Sequence, residues 1–422
     1  MRWSDHAVWW HVYPLGFLGA EREALPPSAP PVPRLSGLVN WLDYLVELGC
    51  NGLALGPVFA SETHGYDTVD HFRIDSRLGD ESDLLRLVEQ ASARGVRVLL
   101  DGVFNHVGRS FPALDNMAAR GPDGSPRTFE GHQRLVALDH GDPAVAEYVT
   151  EVLTYWLDRG IDGWRLDAAY AVPLPFWHSV TSRVRARFPD AWLVGEVIHG
   201  DYGAYVSEGG LDSVTQYELW KAVWSSLNDR NFFELAWSLD RHNALLDTFA
   251  PLTFLGNHDV TRIASLLDDE RQLAHALVVL FTTGGIPSVY AGDEQAFRGV
   301  KEHREGGDDA VRPAFPDRPD QLAPYGRAHC RLHQSLIGLR RRHPWLVRAR
   351  TAVTTLTKET VGYTVGDGEH ALAVALNLGE GPAEIALPDA DWLRAAGSCE
   401  FGRDRAVLPP RGWAIATRAS AR

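Results

Sequence analysis

Cysteine and methionine are scarce, with three Cys and two Met in 422 residues. Cys50, Cys330 and Cys399 are far apart, odd in number and form no Cys-x-x-Cys pair, which argues against a disulfide scaffold and a cysteine-based zinc centre. Basic residues are outnumbered 41 to 55, for a net charge of −14. Nucleic acids and anionic membranes select basic patches, so neither is expected as a partner. No apolar run reaches the ~18 residues of a membrane span. The opening Met-Arg-Trp-Ser-Asp-His lacks a basic segment followed by an apolar one, so the expectation is a reduced, cytoplasmic protein. Gly-x-Gly-x-x-Gly and Walker loops are missing, which disfavours a nucleotide-dependent enzyme. Aromatic residues, by contrast, are plentiful: 10% of the chain, with 14 Trp. Most Trp side chains fill cores, but their flat faces also stack on sugars and bases.

Strand-like and helix-like segments alternate over most of the length. β-rich runs fall at Ala7–Pro14, Gly52–Gly56, Val96–Asn105, Asp162–Ala168, Ala191–Val197, Ser213–Leu219, Pro251–Asn257 and Gly285–Gly292. Amphipathic stretches separate them, and Gly49, Gly95 and Gly160 stand just past three of these, where left-handed caps belong. Eight strands each followed by a helix predict an α/β fold, a (β/α)8 TIM barrel. A βα unit takes ~30 residues. Asp167 to Glu196 is 29 and Glu196 to Asp259 is 63, whereas Asp101 to Asp167 is 66. The surplus, Val107–Asp142, reads as a small lobe inserted after strand three. From about Thr351 the pattern turns to period two with Gly, Asp and Pro turns, which predicts a C-terminal antiparallel β-sandwich domain. The expected division is 1–106 with 143–350 for the barrel, 107–142 for the lobe and 351–422 for the β-domain. Pro26–Pro33, five of whose eight residues are Pro, should be a stiff exposed loop.

In such a barrel the active site lies at the C-terminal ends of the strands. Strand three ends Asp101-Gly-Val-Phe-Asn105-His106, strand four Trp164-Arg165-Leu166-Asp167, strand five Gly195-Glu196 and strand seven Gly256-Asn257-His258-Asp259. A rim this polar is costly to bury unless it works. One such Asp alone would more often be a cap or an ion-pair partner; Asp167, Glu196 and Asp259 together point to catalysis. Two carboxylates flanking a bond suit glycoside cleavage, one attacking and one donating a proton to the leaving oxygen. Arg165 stands two residues before Asp167 on the same strand face, where a guanidinium would keep that carboxylate ionised and aimed. Glu196 follows the apolar Trp192-Leu-Val-Gly, and desolvation there suits a general acid.

These segments resemble the four short sequence regions of the alpha-amylase family of glycoside hydrolases. Asp101-Gly-Val-Phe-Asn-His is similar to the first, Gly163-Trp-Arg-Leu-Asp-Ala to the second, Gly195-Glu196-Val to the third and Phe254-Leu-Gly-Asn-His-Asp259 to the fourth. His64-Gly-Tyr-Asp67 resembles the family's loop after strand two, and Gly285-Ile-Pro-Ser-Val-Tyr-Ala-Gly-Asp-Glu294 its eighth-strand segment. The resemblance implies that Asp167 is the nucleophile, Glu196 the acid/base and Asp259 the transition-state stabiliser. It implies that Arg165, His106 and His258 grip the sugar in the cleavage subsite, with Tyr66 as the platform beneath it and His64 and Asp67 beside it. Asp308 and Arg312 resemble an Asp/Arg pair reaching in from the eighth loop. Asp101 fits the pattern as a structural orienter.

Three departures bear on specificity. The Lys-His pair that calcium-binding members often carry after the nucleophile is replaced by Ala168-Ala-Tyr170-Ala; with the insert short and Asn105 the one surviving candidate ligand, no cofactor and no required calcium are expected. Val136-Ala-Leu-Asp139-His140 replaces a family motif lining the cleft. Ala168 stands where members favouring α-1,6 bonds often have Val. The expected activity is therefore retaining hydrolysis of α-1,4 bonds in maltooligosaccharides or starch-type α-glucans, with maltose or glucose as products and an aromatic mouth of Tyr66, Trp164, Trp9 and Trp10. A transglycosylase or isomerase with the same triad is the alternative, and a non-catalytic binding relative a further one. The sequence leaves oligomeric state open.

Overall fold

The computed structural model describes residues 2–304, 306–367 and 370–418. Eight parallel strands run along the chain: β1 (Trp9–Val12), β2 (Gly52–Leu55), β3 (Arg97–Gly102), β4 (Gly163–Leu166), β5 (Trp192–Gly195), β6 (Ser213–Val214), β7 (Leu252–Phe254) and β8 (Ile286–Tyr290). Each falls inside one of the β-rich runs read from the sequence. Their spatial order, β6-β5-β4-β3-β2-β1-β8-β7, is that of a (β/α)8 barrel. By its contacts the chain divides into two compact units. One is Trp9–Thr215 with Arg312–Pro324; the other holds the chain before Trp9, Gln216–Val311 and the chain from Tyr325.

The first unit contains β1 to β6. Register is continuous from strand to strand: Trp9 pairs with Gly52, Gly52 with Arg97, Leu99 with Gly163, and Gly163 with Trp192. Asp101 and Arg165 are thereby direct neighbours on β3 and β4. Gly163 is required by proximity, since a Cβ there would strike the Trp192 carbonyl. The strands are sheathed by helices whose ends follow the sequence punctuation. Glu81–Ser92 starts on Asp80, whose side chain accepts from the Ser82 and Asp83 backbone N–H groups, and Pro143–Leu157 starts on Asp142 in the same way. Gly49, Gly95 and Gly160 all have positive φ, as helix-end glycines do. The insert is anchored by a two-residue antiparallel pair, His106–Val107 with Val136–Ala137.

The second unit contains β7 and β8, paired Leu252 to Ile286, and two antiparallel sheets beyond Thr351. One sheet orders Thr351–Leu356, Thr360–Asp367, His370–Asn377, Trp413–Arg418 and Trp392–Gly397. The other orders Ala383–Ala386, Arg405–Leu408 and Glu400–Phe401. Ala373, Ala375, Ile385, Leu387, Ala406, Leu408, Ala414 and Ala416 form the shared apolar core, as alternating inward positions of a sandwich do.

The aromatic mouth needs correction. Trp9, Trp10 and Trp164 are 0%, 1% and 0% exposed. Trp9 stacks on Trp192 at 5.4 Å and Trp10 on Trp41 at 6.0 Å, while Trp164 leans on Phe59 and Phe104. Alternation along a strand sends successive side chains to opposite faces, and all three indoles pack in the protein core. Of the four, Tyr66 alone stands among the candidate site residues.

The Pro-rich stretch lies outside helices and strands and is largely exposed. The segment leading into it is held by a buried ion pair that the sequence did not reveal. Arg77 makes a two-pronged contact with Asp75, Nε to Oδ1 at 2.9 Å and Nη2 to Oδ2 at 2.7 Å. Its other donors reach the carbonyls of Glu21, Arg22 and Thr63 and the Ser61 hydroxyl. Replacing Arg77 with Met would leave a buried carboxylate and three carbonyls without their donor, a loss of about 3–5 kcal/mol. We expect this variant to lower Tm by several degrees. Arg34→Met, which removes a partly exposed pair with Glu21 and one hydrogen bond to the Arg77 carbonyl, should cost less, about 1–2 kcal/mol. Comparable Tm values for the two variants would contradict this account.

Candidate active site

Strand geometry brings three acidic residues onto one guanidinium. Arg165, near the end of β4, has Nη1 at 2.7 and 2.6 Å from the two Asp101 oxygens and 3.3 Å from Asp167 Oδ1. Its Nη2 lies 2.8 Å from Glu196 Oε1. Asp101 lies beside Arg165 near the end of β3, Asp167 follows β4, and Glu196 follows β5. All four side chains are buried, between 0% and 10% exposed. Burial by itself would lower the Arg165 pKa. The carboxylates of Asp101 and Glu196, with Tyr66 and Asp167, outweigh it and hold the pKa well above the usual arginine value. The cation is therefore permanent, shared among three acids. Arg165 touches Glu196 more closely than Asp167, so its position alone does not sort nucleophile from acid.

The chain reverses direction at Ala168, whose φ of 44° and ψ of 36° are left-handed. That turn aims the Ala168 N–H at Glu196 Oε2, 3.0 Å away. Glu196 is thus held from both sides, by a guanidinium and a backbone amide. Tyr66 (8% exposed) donates its hydroxyl to Asp101 Oδ2 at 2.9 Å. Asp67 is fully buried and accepts from the Thr63 N–H at 3.0 Å and hydroxyl at 2.5 Å, so its carboxylate shapes the loop that carries Tyr66. His64 is exposed, and its Nδ1 accepts from the Tyr66 N–H at 3.2 Å.

His106 is neutral. Burial first, then the nearby His64, lowers its pKa to about 3. Its ring stacks on Phe129 of the insert at 4.7 Å, and Glu130 accepts a 2.8 Å hydrogen bond from the Tyr170 hydroxyl. Glu130 is itself left-handed, with φ 47°. Neither Phe129 nor Glu130 was singled out in the sequence, where they stand in a Gly- and Pro-rich stretch without periodicity; the left-handed Glu130 followed by Gly131 shows the turn only in three dimensions.

The remaining candidates belong to the other unit or to its border. Asp259 follows β7; its N–H donates to Asn257 Oδ1 at 2.8 Å, and its Oδ2 lies 2.9 Å from Nε2 of the buried His258. Asp308 lies 3.3 Å from Lys301 Nζ. Arg312, in the first unit, sits over the Tyr13 ring at 4.6 Å. Asn105, the candidate calcium ligand, directs its side-chain Nδ2 at His106 Nδ1, 3.1 Å away, and its backbone carbonyl accepts from the Leu138 N–H at 3.0 Å. Among the described residues no three His, Cys, Asp or Glu side chains are grouped as a metal site needs.

Paired strand-end carboxylates around a buried arginine, on a (β/α)8 barrel, define a glycoside hydrolase. The alpha-amylase catalytic-domain family model matches residues 12–129 and 123–331, and the chain belongs to the alpha-amylase family. A cyclomaltodextrinase of Geobacillus thermopakistaniensis is 29% identical over 430 residues, covering 92% of this chain and 71% of its own. An intracellular maltogenic amylase of Bacillus subtilis is 28% identical over 340 residues, covering 71% of this chain and 57% of its own. Among solved structures, a cyclic alpha-maltosyl-(1→6)-maltose hydrolase from Arthrobacter globiformis superposes with TM-score 0.81 at 26% identity, over 99% of each chain.

The left-handed turn gives a direct test. A β-branched side chain at positive φ is strongly disfavoured, whereas glycine is at ease there. Ala168→Val should cost about 1–3 kcal/mol and lower kcat by redirecting the N–H that holds Glu196. Ala168→Gly should keep both Tm and kcat near wild type. Thermal melts with initial rates decide it, and a Val variant as stable and active as the Gly variant would contradict the argument.

Proposed function

We propose that the chain is a retaining hydrolase of α-1,4 bonds in short maltooligosaccharides, linear or cyclic, releasing maltose or glucose. The observation that carries the reading is the Arg165 hub, which gathers Asp101, Asp167 and Glu196 at adjoining strand ends. Roles follow motif position. Asp167 attacks the anomeric carbon and Glu196 gives its proton to the leaving oxygen. A glycosyl ester on Asp167 results, and Glu196 then takes a proton from the water that hydrolyses it. Asp259, at the equivalent end of β7, supports the cationic ring of the transition state, and Arg165 holds the carboxylates in register. Tyr66 offers its ring face to the sugar. Neutral His106 and the buried His258 suit hydrogen bonds to sugar hydroxyls, and the motif resemblance assigns Asp308 and Arg312 to sugar contact.

The substrate class is supported by relatives named for cyclomaltodextrin and maltose chemistry. No cofactor is invoked, and no nucleic-acid or membrane partner; the net charge of −14 supports this. Among the described residues no helix is long and apolar enough to cross a membrane. A cytoplasmic location is supported by the relative named intracellular. The domain division proposed is a barrel of 1–106 and 143–350, a lobe of 107–142 and a β-domain of 351–422.

We expect Asp167→Asn and Glu196→Gln each to lower kcat by at least ~10³-fold, since proton transfer alone contributes ~10²–10⁴. Either variant keeping a tenth of wild-type activity would remove that residue from the mechanism. Relative kcat/KM should favour maltotetraose and cyclodextrins over isomaltose, sucrose and soluble starch. Preference for isomaltose or sucrose would refute the α-1,4 reading, and dominant transfer products at low substrate would favour a transglycosylase. Dialysis against EDTA should leave rate and Tm unchanged; a loss of both, restored by calcium, would show that the insert region binds the ion.

A further inference from the structure

The loop after β7 carries His258 and Asp259, and its two ends converge on one buried carboxylate. Asp293, 5% exposed, follows β8. Its Oδ1 accepts from Arg262 Nη1 at 2.8 Å, at the far end of the loop. Its Oδ2 abuts Gly256 at the near end, where an added Cβ would collide with it. Gly256 does not have a positive φ, so its backbone does not demand glycine; the space taken by the Asp293 carboxylate does. Arg262 is 1% exposed, lies over the Tyr290 ring at 4.4 Å, and its N–H donates to Gly299 O at 3.0 Å. Just before the loop the Leu255 carbonyl accepts from Trp220, and between the ends Asn257 donates to the Tyr217 hydroxyl and Thr261 accepts from the Lys301 N–H.

We propose that Asp293 is a positioning residue that sets the placement of Asp259, by fixing Gly256 with one carboxylate oxygen and Arg262 with the other. This inference rests on the role given to Asp259 above. The pair is poorly suited to stabilising the fold. Asp293 Oδ2 and Arg262 Nε are buried without a hydrogen-bond partner among the described residues, and such atoms are costly. Burial pushes the Asp293 carboxyl up to about 7, despite Arg262 and with neighbouring Glu294 adding to the rise. An apolar pair of similar volume would fold as well or better. A costly ion pair spanning both ends of a loop that bears a candidate catalytic acid is explained by precision in that loop.

The test is a double-mutant cycle read on a 4-nitrophenyl α-maltooligosaccharide. The brace is removed in the double variant Arg262→Met/Asp293→Leu, which replaces both charges and should keep Tm near wild type. We expect its kcat to fall at least tenfold with KM within threefold. We further expect Asp259→Asn to cost at least fivefold less in this background than in the wild type, because a misplaced Asp259 has less to lose. Gly256→Ala, which disturbs only the near end, should lower kcat in the same way if the double variant proves unstable. Wild-type kcat in either folded variant, or strictly additive losses in the cycle, would overturn the proposal and leave the reading of Asp259 intact. If Asp259→Asn alone retained activity, that reading would fall and this one with it.

Discussion

One guanidinium organises the site. Arg165 is the only cation in contact with three buried acids among the described residues at these strand ends, and without it Asp101, Asp167 and Glu196 would face one another as like charges. Removing one partner from a buried ion cluster leaves the others uncompensated, so the geometry of β3, β4 and β5 at their C-terminal ends depends on this side chain. Gly163 lets β4 approach β5, the direct Asp101–Arg165 pairing sets the first contact, and the left-handed Ala168 turns a backbone amide toward Glu196. Each is a local decision of the backbone that makes sense only because the cation is there to be met.

Much of the barrel was legible because its signals are local. Apolar runs bounded by glycine mark parallel strands buried on both faces, and Asp80 and Asp142 mark helix starts by their chemistry alone. The residues that meet at Arg165 could be named from strand-end position, since a parallel barrel sends every such end to one side. The order of contact could not: that Glu196 is nearer the guanidinium than Asp167 depends on side-chain rotamers. Trp9, Trp10 and Trp164 were misread as a sugar-facing mouth because composition gives no direction. On a strand, which face an indole occupies is set by register, and here register sends all three into packed aromatic clusters.

The two buried ion pairs absent from the sequence reading, Arg77 with Asp75 and Arg262 with Asp293, share a feature. Each joins segments that are close in space through contacts with backbone rather than through a matching side-chain pattern. Arg77 collects carbonyls of Glu21, Arg22 and Thr63, and Asp293 presses on the backbone of Gly256. Carbonyls and glycines carry no identity in a sequence that would announce such a partner. Charged residues in otherwise apolar surroundings were the one available hint, and it does not say where the other half lies.

The wiring of Arg77 has a consequence for how such a site can diversify. Its donors tie the backbone leading into the Pro-rich stretch to the loop that presents Tyr66. A new stretch around residues 21–34 whose backbone did not bring carbonyls to Arg77 Nη1 would leave that buried donor under-satisfied, while the ion pair with Asp75 stood unchanged. Side chains in this segment are thereby free to vary as long as the backbone course that carries those carbonyls is kept, most of all on the exposed faces of Pro26–Pro33.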